Sequence, residues 1–315
     1  MSPHWGRKML VVAAIGGNAL LRRGQPLTAK AQRANVKTAA AALARIVRAG
    51  HQLIVTHGNG PQVGLLALQG ASYKPTEAYP LDVLGAETEG MIGYLIEQEL
   101  ENTLGHDHAV ATLLTQVVVD PRDPAFQVPT KFVGPVYSKQ EAETRAKSAG
   151  WTIAQDGDHW RRVVPSPAPV EIPDMRVVRL LLDQGVIVIC AGGGGIPVVR
   201  RTDGSMIGVE AVIDKDAASA LLAKNIGADA LLLLTDVDAV YRNFGCDTAA
   251  PSANLTPDQG RALDMPQGSM GPKISAACDF AAAGGFAGIG RLSDALAILD
   301  GSAGTRIAKQ PMEKL

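Results

Sequence analysis

Four consecutive glycines, residues 192–195, follow a short apolar run at residues 186–190, with Ala191 between them. An apolar run of this length predicts a strand that is buried on both faces, and such a strand would bring the glycines to the rim of a sheet. Because glycine has no Cβ atom, the backbone N–H groups of such a loop can approach and surround an anionic ligand such as a phosphate. Taken alone, the run could also be a tight connection between a strand and a helix.

The same pattern of a short apolar run followed by glycines occurs at two other places. Residues 11–15 lead into a Gly-Gly-Asn turn at 16–18, and residues 53–56 lead into a His-Gly-Asn-Gly turn at 57–60. Ligands of open α/β sheets bind outside the carboxyl ends of the strands, where loops of this kind would converge. Three glycine-rich loops after three strands therefore predict a single ligand-binding edge.

Helical and strand-like patterns alternate along most of the chain. Helical patterns cover residues 28–48, 81–104, 175–184, 217–223 and 274–283, and strand patterns cover residues 53–56, 109–119, 186–190 and 230–234. This alternation predicts an α/β fold, a three-layer αβα sandwich with a mainly parallel central sheet and right-handed crossovers. We expect one domain that spans residues 1–315.

Residues 120–173 interrupt the alternation. They contain eight prolines and one sustained amphipathic helical pattern, at residues 138–149, while the rest predicts short strands and turns. Long segments without regular structure are uncommon inside compact domains, and functional lids are a usual exception. We therefore expect an inserted lid subdomain at residues 120–173, although a surface excursion without function would give the same pattern.

The composition limits the class of protein and its partners. With 315 residues, 46% of them hydrophobic, the chain has enough material for a large core. Its 30 basic and 31 acidic residues give a net charge of −1, which does not indicate nucleic acid or an anionic membrane as a partner. Three widely spaced cysteines argue against a disulfide framework and a paired-cysteine metal site. No apolar run approaches the roughly 20 residues that span a bilayer, and we expect a cytoplasmic protein.

Two isolated features favour ordinary structural explanations. His106 and His108 stand alone before a strand pattern, which predicts a polar turn rather than a metal-binding pair. Cys190 ends a predicted buried strand and has no histidine at motif spacing, so we expect a small core residue rather than a nucleophile.

Known nucleotide-binding patterns fit the chain poorly. Residues 58–64 spell G-x-G-x-x-x-G, which is close to the dinucleotide fingerprint but not identical to it. That fingerprint also needs an acidic residue after the following strand, whereas a helical pattern continues here at residues 81–104. The P-loop pattern G-x-x-x-x-G-K-[ST] is absent. A dehydrogenase is therefore a weak alternative, and a protein of this sequence that handles ATP would do so by another arrangement.

Eight motifs, in the order in which they occur, resemble those of the carbamate kinase family, a branch of the amino-acid kinases. They lie at residues 15–19, 57–62, 123–126, 129–131, 190–197, 210–216, 235–238 and 268–273. The resemblance covers nearly the whole chain, from about residue 9 to about residue 307. It implies a three-layer α/β sandwich, a homodimer, and ATP with Mg²⁺. The implied reaction is reversible phosphoryl transfer between ATP and carbamate, giving ADP and carbamoyl phosphate, which many bacteria use to make ATP at the end of arginine breakdown.

The resemblance also implies roles for individual residues. Phosphoryl transfer requires that two anionic reactants be aligned and that the charge on the moving group be neutralised, which glycine N–H groups and lysines can do. The implied catalytic residues are Lys131, Lys215, Asp216 and Lys273, with Asp216 holding the lysines in position. The implied substrate-binding residues are Gly16, Gly17 and Asn18 for the phosphoryl acceptor and the transferring group, and Gly58, Asn59 and Gly60 for the carbamate. The implied nucleotide-binding residues are Gly193, Gly194, Lys215, Asp236, Tyr241 and Lys273, and no protein ligand for a metal is implied.

One departure from the wider family concerns the first strand. Many amino-acid kinases carry a lysine two residues before the first Gly-Gly pair, where this chain has Ala14. Carbamate kinases share this absence, and in them a lysine of the inserted subdomain, matched here by Lys131, reaches over the site. Phe132 stands where proline is more usual in the family, which affects the expected shape of the loop but not the lysine.

Two other functions remain as alternatives. The chain could be another amino-acid kinase that acts on the carboxylate of a larger amino acid, but Ala14 and the inserted segment argue against it. It could also be a non-catalytic sensor of nucleotide or amino acid. The joint presence of Lys131, Lys215, Asp216 and Lys273 argues against a sensor, because a sensor needs affinity but not charge placed along a transfer path.

Overall fold

The computed structural model describes residues 8–21, 24–74, 78–263, 265 and 270–310. The strands are β1 (Leu10–Ile15), β2 (Gln52–His57), β3 (Val110–Thr112), β4 (Gln116–Val119), β5 (Lys131–Tyr137), β6 (Thr152–Asp156), β7 (His159–Val164), β8 (Pro169–Glu171), β9 (Ile187–Ile189), β10 (Ile196–Arg200), β11 (Met206–Gly208), β12 (Ala230–Thr235), β13 (Val240–Arg242), β14 (Ala250–Ser252), β15 (Asn254–Leu255), β16 (Phe286–Arg291) and β17 (Thr305–Ile307). The helices are α1 (Gly17–Leu20), α2 (Ala29–Arg48), α3 (Gly60–Tyr73), α4 (Leu81–Leu104), α5 (Lys139–Ala149), α6 (Met175–Asp183), α7 (Lys215–Ile226), α8 (Pro257–Arg261), α9 (Met270–Ala282) and α10 (Ala295–Asp300).

Eight strands form the central sheet, in the order β15-β17-β16-β12-β1-β2-β9-β3. Neighbouring strands are parallel except for the antiparallel pair of β16 and β17. The central strands β1, β2 and β12 are buried at nearly every residue, as expected for a parallel sheet covered on both faces. The predicted α/β fold with a mainly parallel sheet is confirmed.

Helices cover both faces of this sheet, and the side chains of β1 show how the two faces divide. Val12 and Ala14 belong to one apolar cluster, which includes residues of α6, α7 and α9. Val11 and Ile15 belong to a second cluster, which includes residues of α2, α4 and α10. Successive side chains of a strand point to opposite faces, so one fully apolar strand can serve two helical layers. The result is the predicted three-layer arrangement.

The predicted strand at residues 109–119 is wrong in one respect, because it is two strands in two different sheets. β3 pairs with β9 at the edge of the central sheet, whereas β4 belongs to a four-stranded sheet of order β11-β10-β4-β8. The chain turns between them at Thr115, whose hydroxyl donates to Leu113 O (3.0 Å) and whose N–H donates to Glu89 Oε2 (3.1 Å). Side-chain hydrogen bonds to the backbone of this kind compete with a continuous strand.

Residues 120–173 hold a three-stranded antiparallel sheet of order β5-β7-β6 and the helix α5. The segment returns to the body through β8, which pairs with β4. Basic side chains lie over its aromatic rings in four pairs, Arg145–Tyr137, Arg161–Phe132, Arg162–Trp151 and Lys139–Trp160, at 4.9 to 5.6 Å from the ring centroids. Each such contact stabilises by about 0.5–1 kcal/mol at exposed sites, which helps a segment with a small core.

The ends of several helices agree with the sequence patterns. α4 has the predicted bounds, and Thr28 caps α2 by accepting from Ala31 N (3.3 Å). The sequence pattern placed the start of this helix at residue 274, which would leave Lys273 before it. In the structure α9 spans Met270–Ala282, so Lys273 lies inside the helix. Pro272 is compatible with this earlier start because the first turn of a helix needs no N–H from it.

The cysteines and the histidine pair have the ordinary structural roles that the sequence indicated. Cys190 and Cys278 are buried, Cys246 is exposed, and all three are unpaired. His106 and His108 lie in the turn after α4, as predicted. None of the helices in the described ranges is long and apolar enough to cross a membrane.

Candidate active site

The three glycine-rich loops meet at the carboxyl edge of β1, β2 and β9. A Cβ atom on Gly58 would lie 3.2 Å from Gly17 N, so the first two loops are in contact. A Cβ atom on Gly193 would overlap the side-chain amide of Asn59, so the second and third loops are in contact as well. The convergence predicted from the three strand-loop patterns is present in the structure.

The four-glycine loop needs glycine for both its backbone angles and its close contacts. Gly193, Gly194 and Gly195 have φ angles of 67°, 100° and 83°, a region that residues with a side chain rarely adopt. A Cβ atom on Gly194 would also lie 2.5 Å from Ile213 O, just before α7. The loop is therefore more than a tight connection, because its backbone lies directly against the start of α7.

The first turn of α7 carries three charged residues in succession. Asp214 caps the helix, with Oδ1 accepting from Asp216 N (2.9 Å) and Ala217 N (3.2 Å). Lys215 and Asp216 follow as the first two helical residues. Asp214 already accepts from two N–H groups of this turn, so what the turn offers an anion is the partial positive charge of a helix N-terminus.

Asp216 joins two lysines from different helices. Its Oδ1 accepts from Lys215 Nζ, and its Oδ2 accepts from Lys273 Nζ of α9 at 2.9 Å. All three side chains are largely buried. Burial alone would raise the pKa of the Asp216 carboxyl, but the two ammonium groups lower it well below its ordinary value. Asp216 is therefore a permanent anion that fixes the positions of two cations.

A third lysine reaches the same turn from the inserted segment. Lys131 lies at the start of β5, and its Nζ donates to Asp214 Oδ2 at 2.7 Å. About a third of the Lys131 side chain and a quarter of the Asp214 side chain are exposed (34% and 27%). Burial and the neighbouring Asp216 carboxylate oppose ionisation of Asp214, but the Lys131 ammonium and the Ala217 N–H together lower the pKa of the carboxyl.

Lysines outnumber aspartates in this cluster, which holds Lys131, Lys215 and Lys273 against Asp214 and Asp216. The cluster also touches the glycine loops, because a Cβ atom on Gly58 would lie 3.8 Å from Lys215 Cδ. A positive excess beside glycine loops and a helix N-terminus suits a ligand with several negative charges, such as a phosphate ester.

Comparisons with known proteins agree with this geometry. Residues 9–288 match the sequence profile of the amino acid kinase family. Carbamate kinases from Rhizobium meliloti (strain 1021) and Haemophilus influenzae are 56% and 54% identical to the chain, each over 303 residues. These alignments cover 95% and 96% of this chain and 93% and 97% of the relatives.

The chain belongs to the amino acid kinase family, and within it to the carbamate kinases.

Solved structures show the same relationship. Carbamate kinase from Giardia lamblia bound to AMP-PNP superimposes on this kinase with a TM-score of 0.88 at 41% sequence identity. The match covers 96% of this chain and 99% of that chain.

Two predicted nucleotide-binding residues of this kinase follow β12, the strand next to β1. Gly16 N donates to Leu234 O at 2.9 Å, which places Asp236 at the same edge of the sheet as the first glycine loop. Asp236 accepts from Thr235 Oγ1 at 3.1 Å. Tyr241 lies farther along, on the β13–β14 hairpin, and donates to the Asp238 carboxylate at 3.2 Å. A nucleotide-binding role for Asp236 and Tyr241 stays a prediction.

Two other predicted positions are only partly described. Asn18 lies in α1, but its side chain is outside the described residues, and so are Gly268 and Ser269 of the motif before Lys273. Gly60 is the first residue of α3, and Pro61 follows it in the first turn of the helix.

The structure adds two acidic residues that sequence reasoning did not assign to the site of this kinase. Asp214 lies inside the motif at residues 210–216, and its place shortly before a helical pattern is a typical signal of a cap. Glu89 gave no signal, because a glutamate within a long helix is ordinarily a surface residue. Cys190 is buried, which raises the pKa of its thiol, so the structure agrees with a core residue.

Proposed function

We propose that this kinase catalyses reversible phosphoryl transfer between ATP and carbamate, giving ADP and carbamoyl phosphate. The relatives named above support the reaction, and the observation that carries it to this chain is the shared carboxylate of Asp216. That carboxylate holds Lys215 and Lys273 side by side at the edge where three glycine loops meet. Two ammonium groups held in fixed positions can neutralise negative charge both on the oxygen that it leaves and on the oxygen where it develops during transfer.

Each part of the site has a proposed role. Lys215 lies beside Gly58 of the second glycine loop and would neutralise charge on the transferring phosphoryl group. Lys273 would contact the nucleotide phosphates, and Asp216 would keep both lysines in place without touching the substrates. The proposed substrate-binding residues are Gly16, Gly17 and Asn18 at the transferring group, Gly58, Asn59 and Gly60 at the carbamate, and Gly193, Gly194, Asp236 and Tyr241 at the nucleotide.

We also propose that residues 120–173 form a lid within a single amino-acid kinase domain. Lys131 is the residue of this segment that reaches the lysine cluster, and it would supply the charge that Ala14 cannot provide. Closing over a ligand as small as carbamate would exclude water and strengthen the electrostatic contacts inside. Water exclusion would also protect carbamoyl phosphate from hydrolysis.

Magnesium fits this site as a companion of the nucleotide. Within the described ranges, no three His, Cys, Asp or Glu side chains group in a way that could hold a metal. Both oxygens of Asp216 already accept from lysines. Mg²⁺ commonly keeps several waters and binds nucleotide phosphates, so an ion entering with ATP or ADP needs no protein cage. When bound, it would neutralise phosphate charge, and the residues above would orient the complex.

Three further properties belong to the proposal, namely a homodimer, a cytoplasmic location and a use in arginine breakdown to make ATP. Exposed apolar side chains on and beside α4 support the homodimer. Met91, Tyr94 and Leu114 are 36%, 51% and 55% exposed, and Leu114 lies against Gly90 of the helix. Adjoining exposed apolar residues of this kind commonly mark a surface that another protein covers.

The reaction is tested by ATP formation. Purified protein with Mg²⁺, ADP and carbamoyl phosphate is expected to make ATP, and acetylglutamyl phosphate is expected to be a much poorer phosphoryl donor. Equal or better activity with the larger acyl phosphate would contradict the proposed function and favour another amino-acid kinase.

A further inference from the structure

Glu89 is a buried carboxyl group that the proposed chemistry does not use. It lies on α4, and only 1% of the residue is exposed. Its Oε1 accepts from Gly192 N at 2.7 Å, and its Oε2 accepts from Thr115 N at 3.1 Å. A buried carboxyl group is costly unless it is hydrogen-bonded, and here both of its oxygens accept from backbone N–H groups.

These contacts hold the start of the four-glycine loop. Gly192 is the first of the four glycines, and a Cβ atom on it would overlap the His57 ring and lie 2.9 Å from Glu89 Cγ. The preceding residue, Ala191, donates its N–H to Thr115 Oγ1 at 2.9 Å. Glu89 thus fixes the Gly192 N–H directly. It also acts on the Ala191 N–H indirectly, because it holds the backbone of Thr115, whose hydroxyl accepts from Ala191.

The neighbouring residue on α4 holds the second loop. Thr88 is fully buried, and its Oγ1 accepts from Asn59 Nδ2 at 2.9 Å. Asn59 in turn lies against Gly193. Two adjacent side chains of one helix therefore set the spacing between the second and third glycine loops.

The N–H groups of Gly194 and Gly195 donate to Ala191 O and Gly192 O within the loop. We propose that Glu89 is a positioning residue for phosphoryl transfer, which acts through Gly192 to fix the backbone of the four-glycine loop and with it the direction of the Gly193 N–H group. The inference rests on the proposed function, because it takes this loop to face the nucleotide phosphates. Small errors in the position of a group that acts on a reacting centre can reduce rates by about 100-fold. A residue that only filled space in the core would affect stability and not the orientation of the loop.

The charges around Glu89 allow a discriminating test. Burial raises the pKa of its carboxyl to about 8, although the N–H groups of Thr115 and Gly192 oppose the shift. The other titratable groups nearby are His57 on β2, Asp174 before α6, Cys190 after β9 and, beyond His57, Lys215 on α7. Burial lowers the pKa of His57 to about 4 and raises that of Cys190, so neither of these two changes charge between pH 6.5 and pH 8.5.

The test compares Glu89→Gln with Glu97→Gln. Glu97 is on the same helix and accepts from Thr112 Oγ1 at 2.6 Å, so it contacts the neighbouring strand but not the glycine loop. At pH 8.5 the Glu89 carboxylate accepts from two N–H groups, whereas an amide presents its own N–H to one of them. We expect Glu89→Gln to lower kcat by roughly 10- to 100-fold at pH 8.5, with the KM for ADP within about threefold of the wild type.

The decisive measurement is how the ratio of wild-type kcat to Glu89→Gln kcat depends on pH. At pH 6.5 the wild-type carboxyl is protonated and resembles the amide, so the ratio of wild-type to variant kcat is expected to shrink. Glu97→Gln is expected to leave kcat nearly unchanged at both pH values. A Glu89→Gln variant with wild-type kcat at pH 8.5, or with a loss that is equal at both pH values and matched by Glu97→Gln, would overturn the inference. If Glu89→Gln does not fold, Glu89→Asp, which is too short to span both N–H groups, is expected to show the same loss of kcat at pH 8.5.

Amide hydrogen exchange separates this inference from the proposed function. An inactive wild-type protein would contradict the proposed function alone. Faster exchange at residues 190–196 in Glu89→Gln than in Glu97→Gln would still support the positioning role. Equal exchange in the two variants would overturn it.

Discussion

Lys273 Nζ lies 2.9 Å from Asp216 Oδ2, so one ion pair joins two helices whose residues are 57 positions apart in the chain. The other oxygen of the same carboxylate is occupied by Lys215. Removing either lysine therefore leaves Asp216 with one cation, whereas removing Asp216 would leave two buried cations without a partner. Losing one partner of a buried ion pair costs about 3–5 kcal/mol. Lysine variants are thus better probes of the chemistry than variants of Asp216.

Lys215→Ala is expected to lower kcat by about 10²–10³ while the KM for ADP changes little, because a fixed donor of this kind acts mainly on charge that develops in the transition state. Steady-state kinetics in the direction of ATP formation measure both values. Lys224→Ala, at the exposed end of the same helix, is the control and is expected to keep wild-type kinetics. Near-normal turnover of a folded Lys215→Ala protein would show that Lys215 does not act on the transferring phosphoryl group.

Lys131→Ala is expected to reduce turnover while the affinity for ADP stays nearly unchanged. Its ion pair with Asp214 is partly exposed and is worth less than about 1 kcal/mol to stability, so the effect should appear in kcat rather than in the fold. Lys147→Ala removes an exposed lysine of the same segment and serves as the control. Kinetics together with calorimetric titration of ADP would measure both quantities. Full activity without Lys131 would place the missing charge elsewhere.

Ligands are expected to slow amide exchange across residues 120–173 if this segment closes as a lid. The protection should require nucleotide and a mimic of carbamoyl phosphate together, because only then are both halves of the transfer path filled. Exchange followed by mass spectrometry would resolve the segment from the central sheet, which acts as the internal reference. Exchange that does not change when both ligands bind would mean that the segment does not move as proposed.

Gly64→Ala is expected to lower kcat by separating α3 from the inserted segment. A Cβ atom there would lie 2.5 Å from Gly134 Cα and 2.8 Å from Gly134 N, both backbone atoms of β5. Overpacking of this kind costs about 1–3 kcal/mol, and any shift of β5 would move Lys131 at its start. Gly70→Ala on the same helix meets only ordinary contacts, of 3.7 Å or more, with Ala78, and should be harmless. Thermal unfolding and kcat of the two variants give the comparison, and equal kcat values would contradict the prediction.

The stability of the protein relative to Glu89→Gln is expected to fall as pH rises. Burial raises the pKa of Glu89 from an ordinary value of 4.5 to about 8, so the folded state favours the neutral carboxyl. That contribution is fully present below pH 4.5 and is lost as pH rises through about 8, because the unfolded chain ionises first. Urea unfolding of both proteins at pH 5.5 and pH 8.5 measures the change. A constant difference in the free energy of unfolding would show that the pKa of Glu89 is not raised.

Local patterns were sufficient for most of the fold. The bounds of α4 and the start of α2 follow from apolar spacing and a capping threonine, which act within a few residues. The break between β3 and β4 could not be predicted in this way. It depends on a hydrogen bond from Thr115 to Glu89, which is 26 positions away and on a different element.

In the candidate site, too, local features could be predicted from the sequence, whereas contacts between distant elements could not. The glycine loops and the lysines at residues 131, 215 and 273 each lie in a short continuous motif, so they could be predicted from the sequence. Which carboxylate each lysine would meet could not be predicted, because Lys131 reaches Asp214 across 83 positions of the chain. Pairings between distant elements depend on how the layers pack, and that information is not local.

Asp214 divides its two oxygens between two tasks. Oδ1 caps α7, and Oδ2 holds Lys131. Lys131 can therefore exchange this partner for a bound anion while the first turn of the helix keeps its cap. Opening and closing of the proposed lid would therefore leave intact the helix on which Lys215 and Asp216 depend.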